Sequence, residues 1–231
     1  MLNKKIILDT ETTGLSANNG DKIVEIACIE LLNDKDFGAS FHYYINPERH
    51  IPIESTNIHG ITNDKVADSK KFVEIYEELI EFIGDSQIIA HNAEFDRGFI
   101  NAEFRHINKA EIPKSKFIDT LTMAREKFPR EKVSLDHLCN KFNISLESRK
   151  DYHGALIDIV LLGEVYLNLI KGQSNIFDDN KLEKNNLEEK IEQIVYENTN
   201  FIKREVLIQA NEALKHKDFI NSKIKNATWF K

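Results

Sequence analysis

Ile6-Ile7-Leu8-Asp9-Thr10-Glu11-Thr12-Thr13-Gly14 opens with an apolar run that reads as a buried strand and ends with two carboxylates one residue apart. Side chains alternate across a strand, so Asp9 and Glu11 point to the same side. Like charges held that close repel unless a cation or a proton is shared between them. Taken alone, the pair is explained as well by two solvated acids at a strand end. The remainder of the chain has to decide whether it is a metal site.

The chain has 231 residues, 41% of them hydrophobic, enough for one full core and a small appendage. No apolar run has the length needed to span a bilayer, which argues against a membrane partner. The first strand begins within a few residues of Met1, so no signal peptide is expected ahead of it. Cys28 and Cys139 lie in apolar contexts without metal-ligand spacing; buried free thiols fit a reducing cytoplasm. The formal net charge of −7 is silent on nucleic acid, because bound metal and local basic residues can offset acidic bulk.

Outward from the opening strand, residues 16–21 form a turn-rich loop, and residues 22–32 read as a second strand carrying Ile23, Val24, Ile26, Ile29 and Leu31. Residues 37–45 alternate as a third, completing an antiparallel meander. Pro47 and Pro52 break the pattern, and residues 56–62 read as a loop or short helix. Phe72, Ile75, Tyr76, Leu79, Phe82 and Ile83 repeat at helical spacing, with Gly84 as the stop. Residues 87–90 form a fourth strand leading into a helix with Asp96, and residues 117–119 a fifth, with Asp119 placed as a helix cap. Ser134 caps a helix carrying Leu135, Leu138 and Phe142, and a last helix runs from about residue 155 to Ile170. Strands first, then strands alternating with helices, predict one α/β domain with a mixed sheet of five strands.

Composition changes at Gly172. Residues 172–190 are mostly Asn, Asp, Glu and Lys around an apolar island at Ile176-Phe177, and read as a linker. Residues 191–231 carry short amphipathic patterns (Ile191, Ile194, Val195; Val206, Ala210, Leu214) and close on Trp229-Phe230. That is too little chain for an independent core and suits a docking tail. The expected divisions are therefore 1–171, 172–190 and 191–231.

The chemistry rests on further acids. If the first and fourth strands are neighbours, Asp96 faces the end of the first strand, and Asp158 lies one turn into the last helix, five residues after His153. Four converging carboxylates call for divalent cations, and hard oxygen donors suit Mg²⁺ or Mn²⁺ rather than Zn²⁺. Two such ions clamp the attacking and leaving oxygens of a phosphodiester. His153, with a pKa near neutrality, is the candidate general base.

Asp9-Thr-Glu11-Thr-Thr-Gly14, His91-Asn-Ala-Glu-Phe-Asp96 and His153-Gly-Ala-Leu-Ile-Asp158 resemble the three motifs of the DEDDh 3′–5′ exonucleases. Gly154 stands where the tyrosine branch of that family would need Tyr, and Tyr152 is out of place. The resemblance covers roughly residues 5–170. It implies a ribonuclease H-like fold, two divalent cations on Asp9, Glu11, Asp96 and Asp158, and His153 activating water. It also implies contacts to a DNA 3′ end from Asp9, Glu11, Thr12, Leu15, His59, Asn92, Phe95 and Asp158. Ordinary roles compete at several of these: loop packing for Leu15 and His59, satisfaction of backbone groups for Asn92, core for Phe95.

Within that family the chain is similar to the proofreading-subunit branch that serves bacterial DNA polymerase III. The similarity rests on Asn57-Ile58-His59-Gly60-Ile61, on the last domain helix, and on a linker and tail with late Trp229. It implies a cytoplasmic bacterial protein bound to the polymerase catalytic subunit through residues 191–231. Gln173, Ile176 and Phe177 resemble a weak sliding-clamp motif, departing from it at Ser174; a chance island in a linker is the competing reading. Two other functions stay open: a free-standing DNA or RNA 3′ exonuclease, and a structural bridge between polymerase and clamp. A phosphatase with a nucleophilic Asp is disfavoured, because Glu11 stands where a second Asp is wanted.

Overall fold

The central strand β1 (Lys4–Thr12) is covered on both faces, with Ile6, Ile7 and Leu8 fully buried. In this computed structural model, which describes residues 3–147 and 154–171, β1 pairs antiparallel with β2 (Ile23–Leu32) and parallel with β4 (Gln87–Ala90). β2 pairs antiparallel with β3 (Asp36–Tyr44), and β4 pairs parallel with β5 (Phe117–Asp119). The order β3-β2-β1-β4-β5 is the expected meander followed by crossover strands, with β1 and β4 as neighbours. A register irregularity lies between Glu11 and Thr12, where β1 leaves the ladder beside the acids.

Helices cover both faces of the sheet. Ile6, Leu8, Ile26, Cys28 and Ile88 pack with α3 (Phe72–Ile83) and α4 (Ala93–His106). On the opposite face Ile7, Ala27, Ile29, Leu31 and Ile89 pack with α6 (Leu135–Lys141) and α7 (Ala155–Ile170). α7 is apolar around most of its circumference, which fits a helix enclosed by the protein. Gly163 permits its close approach to the sheet: a Cβ there would stand 2.4 Å from the Phe37 ring and 2.8 Å from Ile7 Cδ1. That approach brings the first turn of α7, with Asp158, to the end of β1.

The strand bounds differ from expectation by a residue or two, as ends do. Residues 56–62 resolve into helix α1 (Ile53–His59), ended by Gly60 at φ 71°. The sequence reading missed α2 (Asn63–Val66), whose cap Thr62 accepts from the Lys65 N–H. It also left α5 (Thr120–Lys127) implicit in its cap: Asp119 accepts from the Leu121 N–H, as expected of a cap. Only Thr120 and Ala124 of α5 are buried, too few to write a periodicity. Ser134 accepts from the His137 N–H and starts α6. Both cysteines are buried free thiols, and burial together with Asp158 pushes Cys139 up to about 12. Among the described residues no helix is long and apolar enough to cross a membrane. The linker and tail, including Gln173, Ile176, Phe177 and residues 191–231, lie outside the described residues, as does His153.

Candidate active site

Strand alternation fixes the first half of the site. Ile7 faces α7, so Asp9 and Glu11 follow on that side, and Asp158 meets them from the first turn of the helix. One carboxylate oxygen from each of Asp9, Glu11 and Asp158 lies within 4.8 Å of the others. Asp158 is only 5% exposed, while Asp9 and Glu11 are half-buried.

Asp96 reaches the site differently. It lies in the first turn of α4, on the other face of the sheet, is 2% exposed, and accepts a hydrogen bond from Thr10 Oγ1 at 2.8 Å. Thr10 thus ties α4 to the strand that carries Asp9 and Glu11. Asp96 stands outside the tight group of three, yet its charge is felt at Asp9. Asp119 holds the turn that leads into α4: its Oδ1 accepts from the N–H groups of Asn92 at 3.0 Å and Ala93 at 3.3 Å. Sequence reading saw Asp119 only as a cap and did not single out Thr10, whose neighbours in the chain are the acids themselves.

The electrostatics are those of a cation site. Burial pushes the Asp9 carboxyl well above the usual range, and Asp158, Asp96, Glu11 and Glu25 push it further. Burial raises Asp96 to about 7, against the lowering influence of the Thr10 hydroxyl. All the donors are carboxylate oxygens, which fits a hard divalent cation and disfavours a soft one. The raised carboxyls make a sign prediction for the metal-free protein. Between about pH 4 and about 7 the native Asp96 holds a proton that the unfolded chain has released, so its contribution to stability falls as pH rises. In EDTA, Asp96→Asn should therefore melt near wild type at pH 4 and several degrees above it at pH 8. Thermal melts at the two pH values check this; an Asp96→Asn protein that melts below wild type at pH 8 contradicts it.

The candidate substrate contacts divide into a cleft wall and a buried histidine. Leu15 is 85% exposed, and with Asn18, Phe95 and Arg97 it lines a groove of about 320 Å³. Phe95 also rests on Phe99, ring centroids 4.9 Å apart, so its core role and its place on the groove coexist. Thr12 Oγ1 donates to the Gly14 carbonyl at 2.6 Å, which commits its hydroxyl to the turn. Asn92 sits in the left-handed region, φ 68°, and its side chain makes no cap hydrogen bond. His91 Nδ1 lies 2.9 Å from Thr120 Oγ1. His59 is buried; its Nδ1 accepts from the Ile61 N–H at 3.0 Å, leaving Nε2 to carry the proton. Nε2 makes no hydrogen bond of standard geometry within the described residues. Burial lowers the His59 pKa, with Lys65 adding to the effect and the Thr12 backbone and Glu25 opposing it.

A five-stranded mixed sheet with a carboxylate cluster at the end of its central strand defines a nuclease of the ribonuclease H-like class. The chain belongs to the exonuclease family, whose model matches residues 6–166, and within it to the DNA polymerase III epsilon subunits. It is 42% identical over 235 residues to the protein named DNA polymerase III subunit epsilon from Rickettsia felis, covering 97% of this chain and 98% of that one. It is 44% identical over 186 residues to the protein of the same name from Buchnera aphidicola subsp. Baizongia pistaciae, covering 77% and 76%. Among solved structures, exonuclease X in complex with 5′ overhanging duplex DNA is 27% identical, with a TM-score of 0.56 over 71% of this chain and 89% of that one. The nuclease domain of 3′hExo, a DEDDh family member bound to rAMP, shares the fold at a TM-score of 0.63 over 72% and 91%, with 18% identity.

Proposed function

We propose that this chain is the proofreading 3′–5′ exonuclease of a bacterial replicative polymerase, removing nucleotides from mispaired DNA 3′ ends. The observation that carries the reading is the convergence of Asp9, Glu11 and Asp158 oxygens within 4.8 Å at the end of β1. The 42% identity to an epsilon subunit along nearly the whole chain supports the narrower assignment.

Asp9, Glu11 and Asp158, together with Asp96, would hold two divalent cations. Mg²⁺ and Mn²⁺ both suit this donor set. When bound, the ions supply positive charge where negative charge builds on the attacking and leaving oxygens of the phosphodiester. His153, five positions before Asp158, takes the proton from the attacking water. The water oxygen bonds to phosphorus, the bond from phosphorus to the 3′ oxygen breaks, and that oxygen takes a proton from solvent, so a nucleoside 5′-monophosphate departs and a new 3′-hydroxyl remains. Leu15 and Phe95 provide an apolar wall for the terminal base. The buried Nε2–H of His59, which makes no hydrogen bond of standard geometry among the described residues, is a donor suited to a polar atom of the terminal nucleotide. Residues 191–231 dock on the polymerase catalytic subunit, Gln173, Ile176 and Phe177 engage the sliding clamp, and the protein works in the bacterial cytoplasm.

The test is mismatch excision. With Mg²⁺, the full-length chain should release mononucleotides faster from a primer with a mispaired 3′ end than from the fully paired primer, and faster again when the polymerase catalytic subunit is added. Release from the 5′ end, or no preference for the frayed end in either setting, contradicts the proposal.

A further inference from the structure

Glu25 is a carboxylate that none of the site assignments uses. It lies on β2 directly opposite Glu11, is 2% exposed, and faces the α7 side of the sheet with Ala27, Ile29 and Leu31. A fourth acid beside Asp9, Glu11 and Asp158 adds to their mutual repulsion, and its charge is one of those that raise Asp9. Two contacts hold it in place. Oε1 is hydrogen-bonded to His42 Nε2 at 2.7 Å. Oε2 accepts from the backbone N–H of Ala155 at 3.1 Å.

Ala155 is the first residue of α7, and its cap residue is Gly154, which has no side chain to satisfy the free amides of the first turn. The N–H groups of Ile157 and Asp158 both turn back to the Gly154 carbonyl, and the Ala155 N–H is taken by Glu25. The acid on β2 thus caps a helix 130 residues further along the chain, with negative charge at the end where helix amides favour it. His42 and Tyr44, two apart on β3, buttress it from the next strand, and burial together with Glu25 raises the Tyr44 phenol so that it stays protonated.

We infer that Glu25 is a positioning residue: by clamping the first amide of α7 to β2, it sets where Asp158 stands relative to Asp9 and Glu11. One strand then orients every member of the cluster, pairing with β1 through its backbone and with α7 through this side chain. The inference rests on the reading of Asp9, Glu11 and Asp158 as cation ligands.

The experiment is Mn²⁺ binding to the full-length chain without DNA, read from the signal of free Mn²⁺ in electron paramagnetic resonance, alongside thermal melts and steady-state kinetics. Glu25→Asp keeps the charge but is one methylene too short to meet both His42 and Ala155. It should weaken Mn²⁺ binding by about tenfold and lower kcat in step, with KM for single-stranded DNA little changed. Glu25→Gln keeps an amide oxygen for the Ala155 N–H and turns its NH2 to His42 Nε2, which accepts in the other imidazole tautomer, so both anchors stand and Mn²⁺ should bind within about threefold of wild type. A pure charge effect predicts the reverse order, so E25Q binding more weakly than E25D overturns the inference. So does E25D binding Mn²⁺ as wild type does while melting lower, the result of a merely structural role. His42→Phe leaves Glu25 but removes its second anchor, since Phe has no donor, and should weaken Mn²⁺ binding in the same direction; it carries the test if E25D does not fold, and unchanged binding then overturns it. Asp158→Ala is the control for the underlying reading: if it binds Mn²⁺ like wild type, the metal-site assignment fails, whatever Glu25 does.

Discussion

Asp9→Ala should lower the rate of mononucleotide release from single-stranded DNA by at least about 10³-fold, close to 4 kcal/mol of transition-state stabilisation. Asp9 is the acid on which the site converges: Asp158, Asp96, Glu11 and Glu25 all act on it. Removing a carboxylate whose neighbours are all negative relieves repulsion, so the metal-free Asp9→Ala protein should melt at or above the wild-type temperature. The two results together separate loss of chemistry from loss of fold. Adding Mg²⁺ should raise the melting temperature of the wild type and not of the variant, since ligand binding to the native state alone stabilises it. A purified Asp9→Ala chain that degrades single-stranded DNA at the wild-type rate would place the catalytic centre elsewhere.

Deleting Asp178–Lys231 should have the second largest effect, on assembly rather than chemistry. The truncated chain keeps all the elements that position the acids, so its rate on free single-stranded DNA should stay within about twofold of full length. Its affinity for the polymerase catalytic subunit should fall by about 100-fold or more, roughly 2.7 kcal/mol. The physical reason lies in composition: after a polar linker the tail offers Val206, Leu214, Trp229 and Phe230, and aromatic side chains are the type that most often dominates binding energy. Trp229→Ala alone should account for a large part of the loss. Surface plasmon resonance with the immobilised catalytic subunit measures both, and unchanged affinity for the truncated chain would sink the docking proposal.

Much of the fold was legible because its signals are local. The buried run Ile6–Leu8, the β-branched stretch from Ile23, the helical repeat from Phe72 to Ile83, the stop at Gly84 and the cap at Asp119 need only their neighbours to be read. α2 and α5 were missed or left implicit because each buries too few side chains to show a period. The site was half legible for the same reason. A period of two puts Asp9 and Glu11 on one side of any strand, whatever surrounds it.

What the sequence by itself determined is therefore the donor chemistry: two acids on one strand face, Asp96 and Asp158 on later helices, and family motifs in order. Which sheet face each helix covers was decided only by the tertiary structure. Asp158 joins Asp9 and Glu11 from the α7 side, while Asp96 is held from the other side by Thr10, 86 residues away in the chain. Glu25 acquired a part only when the first amide of α7 came to rest on it. Local periodicity fixes the face on which a side chain emerges; what it meets there depends on contacts between residues far apart in the chain, which only the folded core brings together.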